Sequence, residues 1–292
     1  MKGSSFFKVM SILETCADVV HRVQRERGVS CGWVASGGAQ FCALVKQCRA
    51  RTETSELDGE LAEQLDAVRS AADHSVEQMA TNSRAHDFFT VFSSYNALIM
   101  RLLAKLDTFG GSGARGAYIA FANLKEATGI ERAFLCGALA LPHTALPMLP
   151  SRAFAQLVIG LEQQKVHEQK VRELAPPKLL DLIRVGFEFD SAELREVQRR
   201  LLQEFDVSSL HSLLSAERCW SLLTEHIDKL ETLQQLLLAE VRPLKSVAED
   251  GRASVPLQQS LRAMRDGTGI SDARSVVECI SAMPADELKV RF

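Results

Sequence analysis

The sequence predicts an all-α fold, arranged as two stacked four-helix bundles that share long helices. Three observations lead there. Period-2 alternation bounded by Asn-Gly or Asp-Gly turns is missing from the chain. Apolar residues instead recur at helical spacing along nearly all of it. Uninterrupted stretches reach roughly 27 residues, about 40 Å at 1.5 Å per residue, more than one four-helix layer needs. With 292 residues, 46% hydrophobic and 24% charged, the chain can bury a sizeable core.

The elements follow from the breakers between them. Helices are expected near 5–35 and 38–53, parted by Gly37-Gly38, and then near 56–79 and 84–107. The stretch FGGSGARG, 109–116, is an interhelical turn: it follows no strand and lacks the Lys-Ser/Thr ending of a phosphate-binding loop. A helix near 114–139 stops at the proline-rich 142–150. Two more, near 151–173 and 177–204, meet at Pro176-Pro177, where the second proline suits a first turn. The last long helix spans 207–241. Its apolar stripe is Leu222, Leu223, Ile227, Leu230, Leu233, Leu237 and Leu238, with Glu225, Lys229 and Glu231 off it. Pro243 ends it. The organisation expected is therefore a helical unit, 1–242, and a short C-terminal tail, 243–292, flexible or partly helical near 256–265 and 271–282.

Several function classes lose support. The formal charge of −3 gives no general attraction for nucleic acid, and the tail carries seven basic against seven acidic residues. Seven cysteines form no CxxC pair, and the seven histidines form no HxxxH or HExxH pair, so neither a metal nor a redox site is expected. No nucleophile elbow or other catalytic signature occurs, no cofactor motif is present, and the protein is read as a non-enzyme. No stretch reads as a membrane span or a signal peptide, which points to a cytoplasmic protein.

One patch occurs twice. ERGVSCGWVA, 26–35, and ERAFLCGALA, 131–140, share Glu, Arg, Cys, Gly and the final Ala at an offset of 105. Arg27 and Cys31 share a helix face, as do Arg132 and Cys136. Small residues follow each arginine: Gly28 and Gly32 in the first copy, Ala133 and Gly137 in the second. Such a seam lets neighbouring helices approach closely. Two readings stand. Each arginine pairs with a surface carboxylate while the seam packs, or both arginines aim into one cavity. In a cavity free of carboxylates, a planar oxyanion fits the guanidinium fork.

The stretch VVHRVQRERGVSCGWVASGG, 19–38, resembles the opening motif of the nitrate- and nitrite-sensing (NIT) domain family through Gln24, Glu26, Arg27, Gly28 and Ser30. CRARTE, 48–53, is similar to its Arg-x-x-Thr-Asp segment through Arg49 and Thr52. YIAFANLKEATGIERA, 118–133, resembles the second strong motif through Lys125, Glu126, Gly129, Glu131, Arg132 and Ala133. WSLLTEHIDKL, 220–230, resembles the last through Trp220, Thr224, Ile227, Asp228 and Leu230. The four keep the family's order.

The resemblance implies a sensor of two four-helix bundles that holds nitrate or nitrite on core arginines. Carried over by position, Arg27 and Arg132 are the leading ligand residues, followed by Arg49. His226 stands where the family often has an arginine, and a protonated His226 is a candidate third cation at low pH. Ligand binding then shifts the long helices toward a signalling partner or a second copy of the chain. The alternative is a helical interaction module that kept the fold and lost the ligand.

Overall fold

The computed structural model describes residues 2–52, 57–81, 88–110, 112–142, 151–187, 191–204 and 210–241. The proline-rich stretch beyond Pro142 and the entire tail, 243–292, lie outside the described residues. Among those described, every regular element is helical. The order is α1 (Lys2–Ala35), α2 (Cys42–Arg51), α3 (Gly59–Thr81), α4 (Phe88–Asp107), α5 (Gly113–Ala140), α6 (Ser151–Leu174), α7 (Leu180–Phe187), α8 (Ala192–Arg199) and α9 (Ala216–Val241). A 3₁₀ turn at Pro177–Leu179 leads into α7, a π turn at Arg200–Glu204 extends α8, and a 3₁₀ turn at Leu210–Ser212 precedes α9.

Two expected helices start later or break. The stretch 177–204 is not one helix: α7 ends at Phe187 and α8 begins at Ala192, with the Ser191 hydroxyl accepting from Leu194 N–H at 3.2 Å. The last helix starts at Ala216 and not near 207, with the Ser215 hydroxyl accepting from Arg218 N–H at 3.1 Å. Both starts read Ser-Ala-Glu, an N-cap serine with an acidic residue in the first turn. Helical periodicity runs through both positions and hides these caps.

The exit from α1 follows its glycines. Gly38 N–H bonds Trp33 O at 2.9 Å and Gly37 N–H bonds Val34 O at 3.0 Å, with Gly37 at φ 64°, the left-handed C-cap that glycine adopts freely. Phe41 is also left-handed, at φ 63°, so α2 begins only at Cys42. The Phe41 ring lies on Gly32, where a Cβ would come within 2.5 Å of it, and meets Trp220 edge-on at 6.4 Å.

At the centre stand α1 and α5. Apolar or small residues surround α5 on all sides, and from Gly116 to Ala140 nearly every residue is buried. Helices α1, α4, α6 and α9 pack around it, while α1 also touches α2 and α3. The buried apolar residues form two clusters. The larger joins α1 to α4 with the second half of α5 and the start of α9; the smaller joins the start of α5 to α6, α7 and the end of α9. Glu231, placed off the apolar stripe by the sequence, points inward and forms an ion pair with buried Lys125.

Candidate functional site

The two copies of the patch face each other across α1 and α5. Contacts rise together along both helices: Gln24 meets Glu126, Arg27 meets Gly129, Gly28 meets Arg132, and Cys31 feels Cys136. The helices therefore run parallel in this contact, with each patch near its own repeat.

The seam glycines seat side chains. A Cβ on Gly129 would lie 2.7 Å from Arg27 Nη2. A Cβ on Gly28 would lie 2.6 Å from Trp220 Cζ3 and 3.1 Å from Arg132 Nε. Each arginine thus reaches across to a glycine of the other helix. Gly32 seats Phe41, and a Cβ on Gly137 would come 2.3 Å from the Phe88 ring. At Gly28, Gly32 and Gly137 the near neighbours are rings and a guanidinium group, not the backbone of a facing helix.

Arg27 is 0% exposed and gripped on one side. Its Nη1 donates to Glu126 Oε1 and Asn96 Oδ1, both at 2.6 Å, and its Nη2 donates to Glu126 Oε2 at 3.2 Å. Gln24 Nε2 donates to the same carboxylate at 2.9 Å. Arg27 is therefore compensated by an internal carboxylate, a bidentate fork-to-carboxylate pair. Its Nε has no acceptor among the described residues.

Arg132 differs. It too is 0% exposed, yet no carboxylate pairs with it among the described residues. Nη1 donates to Thr224 Oγ1 and Nη2 to the Gln24 carbonyl, each at 3.0 Å. The guanidinium carbon stands 4.4 Å from the centre of the Trp220 ring, a cation–π contact. Among the described residues Nε–H has no acceptor, and two of the five N–H groups are in use. Burial, followed by the nearby positive charge of Arg25, lowers the pKa of Arg132 to about 9; Cys136 opposes this, Arg27 adds to it, and Asp228 opposes it least. Asp228 itself pairs with Arg25 at 2.9 Å.

The glutamates before each arginine also diverge. Glu26 receives Arg69 through Nε at 2.7 Å and Nη2 at 2.8 Å, and the Tyr95 hydroxyl at 2.8 Å. Among the described residues Glu131 receives only the amides of Gln164, at 2.8 Å, and Gln198, on α6 and α8. Burial raises the Glu131 pKa, and those two amides only partly oppose it.

The remaining predicted ligands stand apart from this pair. Arg49 bonds Asp73 at 2.8 Å and the Arg69 carbonyl at 3.4 Å, and lies 5.5 Å over the Trp33 ring, so its charge is already matched. His226 is two residues beyond Thr224, about 200° round α9 from the side that faces Arg132. Burial and then Lys229 lower its pKa to about 4, against Glu225, so it is uncharged near neutrality and is no third cation there.

Glu126, Gln24, Asn96, Thr224 and Trp220 are the site residues that sequence reasoning left unassigned. Glu126 carried one signal: a carboxylate three residues before Gly129, on a helix rich in apolar and small residues. The described cysteines are free thiols, with Cys31, Cys136 and Cys219 buried and Cys42 exposed. Among the described residues no cluster of metal-ligating side chains occurs, and no helix is long and apolar enough to cross a membrane.

The sequence model of the nitrate and nitrite sensing family matches residues 18–242. The chain is similar to the solved structure of the NasR transcription antiterminator, with a TM-score of 0.58 and 17% identity over 98% of this chain and 77% of that one. At that identity the likeness is one of fold. Among curated proteins, none matches the chain.

Proposed function

The chain belongs to the nitrate and nitrite sensing family, and on that premise we propose that it binds a small planar oxyanion, nitrate or nitrite, between α1, α5 and α9. Arg132 supplies the main charge, and Arg27 lines the same buried layer. The sensor unit is residues 1–242. One observation carries this reading: Arg132 is a fully buried guanidinium that, among the described residues, has unspent N–H groups and no carboxylate partner. Leaving a charge so buried is costly, and an anion beside it reverses the penalty. Nitrate accepts parallel N–H bonds in the guanidinium plane, while the Trp220 face closes the other side of the cation.

Occupancy would favour one packing of α1, α5 and α9, and the shift would reach a signalling partner or a second copy. It does so only through unequal anion affinity for the two packings. Titration calorimetry of the full chain with nitrate, nitrite and chloride is the test. The expected result is heat with nitrate or nitrite and none after Arg132→Met. Silence with all three anions defeats the proposal.

A second reading is an interaction module that no longer binds ligand. The Arg27–Glu126 pair favours it, because that arginine already has its anion. Silence of the folded wild type with all three anions would support it over the sensor.

A further inference from the structure

Glu126 holds Arg27 in the geometry that a planar oxyanion would take. Its two oxygens meet Nη1 and Nη2 at 2.6 and 3.2 Å, a two-point contact made by a flat, singly charged group. Nitrite and nitrate offer the same contact. The Glu126 carboxylate thus stands in chemically for the ligand class proposed above. We propose that Glu126 is a built-in competitor: it occupies the Arg27 fork in the ligand-free chain, and an entering oxyanion must displace it.

Three further observations support the exchange. Gln24 joins the two arginines, since its side chain donates to Glu126 while its carbonyl accepts from Arg132. Moving the carboxylate therefore disturbs the residue that also holds Arg132. Gly129 lets the Arg27 fork lie against α5 beside Glu126, with 2.7 Å between Nη2 and the place a Cβ would occupy. Glu126 also keeps a trace of exposure, whereas Arg27 has none, so the carboxylate is the member of the pair nearer to water. The physical consequence is a threshold. The anion must overcome a bidentate internal pair, which lowers affinity and makes occupancy and helix rearrangement one event. A chain without the competitor binds earlier and rearranges less.

This inference rests on the oxyanion reading, and one experiment separates the two. Nitrate and nitrite are titrated calorimetrically into the full wild-type chain, Glu126→Gln and Arg132→Met. Removal of a charged competitor is expected to tighten binding by about tenfold or more in Glu126→Gln. Binding by Glu126→Gln alone, with a silent wild type, overturns the exchange, because the oxyanion then fails to displace Glu126 from the native chain. Equal or weaker binding by a folded Glu126→Gln, with a binding wild type, overturns the competitor and leaves the sensor intact. Silence of every protein overturns both. Should Glu126→Gln not fold, Glu126→Ala is unfolded thermally with and without formate. Formate, a free carboxylate, is expected to raise its unfolding temperature and not that of the wild type. No such rise overturns the proposal.

Discussion

The first patch, Glu26 to Gly32, and the second, Glu131 to Gly137, share their charged residues but not their solutions. In the first, both charges are matched: Glu26 by Arg69 and Arg27 by Glu126. In the second, neither is matched by an opposite charge among the described residues: Glu131 has two amides, and Arg132 has a hydroxyl, a carbonyl and a ring. Burial is comparable in both. The difference teaches which copy carries the fold and which retains unspent charge. A matched buried pair is costly to break and adds little when intact, while an unmatched charge is a standing cost that a ligand can remove.

The sharpest way to break this comparison is to delete one arginine from each copy. Arg27→Met strands Glu126 in the interior and should cost about 3–5 kcal/mol in urea unfolding. Arg69→Met strands Glu26 in the same way and should cost a similar amount. Arg132→Met removes a charge that has no counter-charge, so its expected cost is within about 1 kcal/mol, since an apolar replacement of an uncompensated group is near neutral. Equal losses for Arg27 and Arg132 would contradict the asymmetry.

Next in size are the glycine seats. Gly129→Ala drives a methyl into Arg27, and Gly137→Ala drives one into the Phe88 ring. Overpacking of this kind costs about 1–3 kcal/mol, less the gain in helix propensity of about 1 kcal/mol. Unfolding midpoints should fall for both, and further for Gly137→Ala, whose neighbour is a packed ring.

Smaller effects concern pH. The folded Glu131 carboxyl titrates above its unfolded value, so its contribution to stability is present in acid and is lost as pH rises through the folded pKa. Glu131→Gln should flatten that decline in a stability-against-pH series. The opposite sign holds for His226, whose pKa is lowered to about 4 chiefly by burial. Its contribution is present above the ordinary histidine range and is lost as pH falls from there toward 4. His226→Gln should soften that acid loss, and an unchanged acid limb would remove His226 from the account.

Much of this was legible in the sequence. The helical class came from periodicity, and the C-cap of α1 from Gly37-Gly38. The repeat placed Arg27 and Arg132 beside small residues, which marked them as interface groups. The rest depended on contacts between distant segments. Glu126 stands six residues before Arg132 on α5, and nothing in that spacing shows that its carboxylate reaches Arg27. Glu231 lies at a stripe edge, and only the position of Lys125 decides that it turns inward. The breaks before α8 and α9 were written in the Ser-Ala-Glu caps but masked by apolar residues that kept the helical period across them.

The links that build the buried layer join residues far apart in the chain: Gln24 to Glu126 over 102 positions, Arg27 to Glu126 over 99, and Arg132 to Gln24 over 108. Such contacts form late, because chain closure must precede them. During synthesis α1 therefore emerges with Arg27 unmatched until α5 has followed it. The nascent N-terminal half carries a cation destined for the interior while its counter-charge is still untranslated. Docking of α5 is thus the step at which the buried arginine layer, and the main core with it, comes into being.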